Sequence, residues 1–210
     1  HQGLQLLFAS SLIDQWAVEE ERVRQNIRPT TGSKHKVALE KAFHILQRLT
    51  QNYESLSPEE RIEAMDRYFT VCSMLDGAER LQIVIEMTEK LLKKSIDDEA
   101  AARSVLRGSF LVAFWPSIIK KNVQLMTIQW LEKVSKSISN RELLAYTHAL
   151  HGLAILQYTY LTRPKKELAV LFDESRRAVS KSKALAKSPE MLTLARAIET
   201  WSWLRQDNLE

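Results

Sequence analysis

The chain contains one cysteine, Cys72, among its 210 residues, so no intrachain disulfide can form. This excludes a small secreted scaffold held together by bridges and points to the cytoplasm or another reducing intracellular compartment. Cys72 lies among apolar neighbours in MDRYFTVCSML, the usual setting of a buried, inert thiol. Glycine and proline number only five each. A β-rich fold draws on both for its turns, so their scarcity favours long helices joined by short loops. It also leaves little backbone for a glycine loop that must approach a phosphate closely. The longest purely apolar run, Phe110 to Trp115, falls far short of the ~20 residues that span a bilayer. The opening LQLLFASSLI has no cationic leader and soon meets Asp14, which is not the pattern of a signal peptide. The first residue is His1 rather than Met, which suggests a segment of a longer protein.

What the chain does have is helical periodicity with well-placed punctuation. An apolar fraction of 45% and a charged fraction of 27% suit a soluble globular protein able to bury a core. Each of the five prolines falls at an expected helix boundary. Pro29 closes the first helix and opens RPTTGSKHK, while Pro116 and Pro164 end the helices finishing LVAFW and YTYLT. In LSPEERIEAM, Ser57 can cap, Pro58 takes the first helical position and Glu60 completes a capping box. Ser188-Pro189-Glu190 repeats that start signal. Asp76-Gly77 reads as a stop, and Asn140 and Asp97 or Asp98 read as caps. Together these signals predict nine helices, over 3–27, 37–54, 58–75, 78–95, 98–115, 120–138, 141–161, 165–186 and 189–206, and no strand. Gly152 lies inside the seventh, where it costs about 1 kcal/mol against alanine, and close packing of a neighbouring helix is the expected reason.

The helices also repeat. Apolar-periodic segments start at Ala38 (ALEKAFHILQRL), Arg80 (RLQIVIEMTEKLL), Gln124 (QLMTIQWLEKV) and Glu167 (ELAVLFDESRRAV), at offsets of 42, 44 and 43 residues. Each is followed by a second helical pattern. Over residues 37–206 this resembles the α-solenoid superfamily, most nearly its HEAT-like or tetratricopeptide-like arrays. Trp130-Leu131 and Ala149 echo the tetratricopeptide pattern, although the glycine after Leu is missing. The resemblance implies an all-α fold of about four stacked antiparallel helical hairpins, with residues 1–36 as a capping helix and loop and 37–210 as the array. The alternative is a compact multi-helix bundle of the same helices. As a cap, the first helix is expected to lay Leu4, Leu7, Phe8, Leu12 and Trp16 against the first hairpin.

No motif for catalysis is present: there is no phosphate-cradling loop, nucleophile elbow or metal quartet. His148 and His151 share one helix but lack an adjacent Glu or Cys partner, so they read as packing residues, and neither cofactor nor metal is expected. The charge is uneven. Residues 1–100 hold 13 Lys and Arg against 17 Asp and Glu, whereas residues 101–210 hold 17 against 9. In the basic half, Lys120, Lys121, Lys165, Lys166, Arg176, Arg177, Lys181, Lys183 and Lys187 form a candidate cationic face. Trp201 and Trp203 are two residues apart on one helix, so they cannot share a core face, and the surplus ring is a candidate partner contact. The reading is therefore a non-catalytic protein–protein interaction or scaffold module, a regulatory segment of a larger protein being one form of it. The alternative is a nucleic-acid or other anion binder using the basic half.

Overall fold

The computed structural model describes residues 2–24, 33–93, 99–114, 121–161 and 165–207, with the side chains of 19, 20, 22–24, 33–35, 165 and 166 outside that description. Among the described residues there are nine α-helices and no strand. They are α1 Gln2–Arg24, α2 Ser33–Gln51, α3 Pro58–Leu75, α4 Ala78–Lys93, α5 Glu99–Ala113, α6 Lys121–Ser137, α7 Arg141–Thr159, α8 Lys165–Leu185 and α9 Pro189–Asp207. No helix among them is long and apolar enough to cross a membrane. The chain packs as two compact units, residues 1–86 and 87–210.

The local signals act as their chemistry requires. Ser57 Oγ accepts from the Glu60 amide at 3.3 Å, and Glu60 Oε2 accepts from the Ser57 amide at 3.0 Å, a complete capping box ahead of Pro58. Asp76 and Gly77 end α3 with φ of 51° and 91°, a left-handed excursion that glycine tolerates best. Asn140 Oδ1 accepts from the Leu143 amide at 3.0 Å and starts α7. α2 begins at Ser33, earlier than the periodicity indicates. The added turn is polar, so it carries no apolar signal, yet Lys is a good helix former. Pro29, Asp97, Asp98, Trp115, Pro116 and Pro164 lie outside the described residues.

In the first unit α1, α2 and α3 pack against one another. Gln2 Nε2 donates to Ser55 Oγ at 2.9 Å, beside the start of α3, so α1 and α3 run parallel with α2 antiparallel to both. Phe43, Tyr68 and Phe69 stack in series, and the Arg80 guanidinium lies 3.8 Å over the Phe43 ring while pairing with Glu40 at 3.0 Å. Cys72 is fully buried beneath them, and that burial pushes its thiol up to about 12. The cap helix uses a different stripe from the one expected. α1 buries Leu6, Ala9 and Ile13, whereas Leu4, Leu7 and Phe8 are 69%, 66% and 58% exposed, and Leu12 and Trp16 are half-buried. Small Ala9 at the centre of the buried stripe allows close approach to α2 and α3, which bulky Leu7 or Phe8 would prevent.

In the second unit, consecutive helices from α5 to α9 pack as antiparallel neighbours. Fully buried Gln124 of α6 donates to the Ala113 carbonyl at the end of α5 at 2.7 Å. α7 and α8 meet around Gly152, whose carbonyl accepts from Ser175 Oγ at 2.7 Å. The expected close approach is there: a Cβ on Gly152 would stand 2.7 Å from Val179 Cγ2 and 3.0 Å from the Ser175 carbonyl. α8 buries Leu168, Phe172, Ala178 and Val179. Beyond these neighbour pairs, α7 also packs on α5 and on α9, so the three parallel odd-numbered helices form a layer.

Candidate interaction surface

The layer of α5, α7 and α9 is fixed at its amino end by two consecutive residues of α7. Arg141 donates from Nε to the Leu185 carbonyl and from Nη2 to that of Ala184, both at 3.1 Å, closing the carboxyl end of α8. Glu142 accepts from the Lys187 amide at 2.9 Å, the Ser188 amide at 3.2 Å and Ser188 Oγ at 2.6 Å. Ser188 Oγ in turn accepts from the Met191 amide, capping α9. In the capping box of α3 the reciprocal carboxylate comes from the same helix. In α9 that position is Met191, and Glu142 supplies the carboxylate from α7 instead. These donors hold the Glu142 carboxyl below the usual carboxylate value, the Ser188 hydroxyl contributing most and the Lys187 amide next.

Beside this junction a cleft of about 390 Å³ is lined by Arg103 of α5, Tyr146 of α7, and Glu190, Met191 and Leu194 of α9. From there the same stripes run toward the carboxyl ends of the helices, half-buried on α5 past Arg103 and closed on α7, where Leu150 and Leu153 are buried. On α5 the stripe is Arg103, Arg107, Phe110 and Phe114, with Arg107 5.9 Å from the Phe110 ring and the two phenylalanine rings 5.0 Å apart. On α7 it ends at Tyr160, and on α9 at Trp201 and Arg205. The Tyr160 and Trp201 rings are 6.4 Å apart, and the Arg205 guanidinium lies 4.0 Å over Tyr160. The Arg205 Nε is buried with no hydrogen-bond partner among the described residues.

Trp201 and Trp203 flank the buried Ser202, so they leave α9 in opposite directions. Trp201 turns to Tyr160 of α7, and Trp203 turns to α8, where the Arg176 guanidinium lies 3.9 Å over its ring. Neither ring becomes core: they are 37% and 50% exposed. Comparison with protein-family models, with curated proteins and with solved structures gave no match.

The structure splits the candidate cationic face into two groups. Arg176 donates to Asp173 at 2.6 Å and to Gln206 at 2.8 Å, and Lys183 donates to both oxygens of Glu199 at 2.7 and 2.8 Å, so these two tie α8 to itself and to α9. Lys121, Arg177, Lys181 and Lys187 are exposed, with Lys121 Nζ 5.6 Å from the Tyr158 ring. Lys120 and the side chains of Lys165 and Lys166 lie outside the described residues. His148 and His151 are half-buried on the side of α7 that faces α6 and α8. Burial first and Lys181 second lower His148, while burial and then the neighbouring His148 lower His151 to about 4. Both are neutral at pH 7. No group of three or more His, Cys, Asp or Glu among the described residues is placed to hold a metal ion.

Nothing in the local sequence marks Arg107 or Arg205 as a surface residue of this layer. A signal for the layer does exist in the residue spacing. Arg103, Tyr146 and Glu190, which line one cleft, are spaced by 43 and 44 residues.

Proposed function

We propose that the chain is a non-catalytic protein–protein interaction module of the helical-repeat, α-solenoid type, and that the α5–α7–α9 face is its contact surface. The observation that carries this reading is the alignment of Arg103, Tyr146 and Glu190 on one cleft at the period of the hairpins. Equivalent positions of successive repeats lie side by side, as stacking of like units requires. The parallel pairing of α1 with α3 follows the same alternation within the first unit. A face built on packed helices loses little conformational freedom when a partner docks. Its exposed Tyr160 and Trp201 are the residue types that anchor protein interfaces. A scaffold and a regulatory segment of a larger protein both fit this arrangement.

Affinity capture from cell extract with quantitative mass spectrometry tests the reading. Wild type is expected to retain a defined set of proteins that the Trp201→Ser variant loses at unchanged helical content. Equal recovery by both, or none above background, contradicts it.

A second reading, an anion or nucleic-acid binder, is supported by exposed Arg177 and Lys181 on α8. It requires affinity for a labelled RNA that falls steeply with salt and is lost when both are reversed to Glu. Unchanged affinity in that variant removes it.

A further inference from the structure

We propose that the outward face of α1 joins two copies of this chain, the two helices running antiparallel and crossing at Ser11. This surface lies on the first unit and does not depend on the α5–α7–α9 face.

α1 carries apolar side chains on two opposite sides. Leu6, Ala9 and Ile13 are buried against α2 and α3, while Leu4, Leu7, Phe8 and Val18 are each more than half exposed. At about 100° per residue, positions 4, 7, 8, 11, 15 and 18 fall in one band on the side away from the buried stripe. Between residues 2 and 18 the one charged residue is Asp14. A solvated helix face carries charged residues in such a band, and a helix that is apolar on every side is covered on every side. The exposed parts of the four apolar side chains come to roughly 400 Å² on each copy, scaled on the 150–250 Å² of a buried aromatic side chain. With the rim of Gln5, Ser11 and Gln15 added, two such faces together bury about the 1,000 Å² that a specific dimer needs.

The band is its own complement, which is what a second copy requires. Leu4 and Val18 lie seven residues to either side of Ser11, and Leu7 and Gln15 lie four to either side. A two-fold axis at Ser11 therefore sets Leu4 of each copy over Val18 of the other, and the bulky Leu7 and Phe8 over the other's Asp14–Gln15 turn. Ser11 meets its own copy at the centre, and so small a residue there lets the two backbones approach closely. Antiparallel packing also brings the positive end of each helix to the negative end of its neighbour. It separates the two Asp14 carboxylates, which a parallel pair would hold at one height. A membrane surface is a poorer occupant: the helices that lie on one flank their apolar face with Lys and Arg, and α1 has neither between residues 2 and 18.

Sedimentation velocity across the micromolar range is expected to give a mass near twice the 24.2 kDa of one chain. Combining Leu7→Ser with Phe8→Ser should return the mass to that of one chain at unchanged helical content, since neither side chain is in the core. Val170→Ser, an equally exposed change on α8, should leave the dimer intact. Ser11→Cys should crosslink two copies on mild oxidation. Leu4→Cys should not, because its own copy lies about 21 Å along the helix. Native Cys72 is fully buried and takes no part in either. A single-chain mass throughout would overturn the proposal, as would a dimer that survives the double serine change. No crosslink through Ser11→Cys, or one through Leu4→Cys, would overturn the antiparallel crossing. A single chain that floats with phosphatidylcholine vesicles and is released by the double serine change would assign the face to lipid instead.

Discussion

Gly152 of α7 lies directly under Val179 of α8, so close that a methyl group on it would stand 2.7 Å from Val179 Cγ2. Ser175, one turn before Val179, adds a hydrogen bond to the Gly152 carbonyl at 2.7 Å. Gly152→Ala should destabilise the fold by about 1–3 kcal/mol, the usual range for overpacking a close contact. Adding Val179→Ala should recover part of that loss and no more, because the Ser175 carbonyl would still stand 3.0 Å away. Chemical denaturation of the single and double variants measures it, and full additivity of the two changes would contradict it.

Glu142 is lowered by donors that exist only in the folded chain, the Ser188 hydroxyl first and the Lys187 amide next. A carboxyl depressed on folding contributes stability above its unfolded value, and that contribution fades as pH falls through the folded one. Glu142→Ala should therefore lower the melting temperature most at neutral pH. The difference from wild type should shrink below the ordinary value of 4.5. A difference that stays constant into acid would show that the carboxylate charge is irrelevant to the cap.

His151 behaves in the opposite chemical sense with the same direction in pH. It is held neutral by burial and by His148, against a smaller opposing pull from Glu132 and with a further push from Lys181. Between its ordinary 6.5 and about 4, the unfolded chain takes up a proton that the folded chain refuses. Stability should fall over that window, by roughly 3 kcal/mol at the acid end. His151→Gln should flatten this limb of the stability curve between pH 6.5 and 4. An unchanged limb would place the acid sensitivity elsewhere.

Cys72 should not react with a thiol reagent while the protein is folded, since it is fully buried and its thiol is pushed up to about 12. Labelling should follow global unfolding in denaturant. Rapid labelling under native conditions would show that the Phe43–Tyr68–Phe69 stack opens locally.

Helix positions were legible in the sequence because each has a local cause: Ser57-Pro58-Glu60, Asp76-Gly77 and Asn140 act within a few residues of themselves. Gly152 was legible for the same reason, its cost being local even though its explanation is a neighbouring helix. The packing of whole helices was not. Whether Leu6 or Leu7 turns inward depends on how closely α1 can approach α2 and α3, and Ala9 decides that only once the helices are packed. Arg176 and Lys183 looked like solvated cations because Gln206 and Glu199, their partners, lie 30 and 16 residues along the chain. The cap of α9 was half legible: Ser188-Pro189 announces it, but the carboxylate that completes it comes from Glu142, 46 residues away.

Photo-crosslinking tests most directly whether partners meet the chain on the proposed α5–α7–α9 face. A benzophenone side chain placed at Tyr160 should capture a partner polypeptide from cell extract, whereas the same group at Val170, an exposed position on α8, should not. Capture from position 170 with none from position 160 would contradict the account.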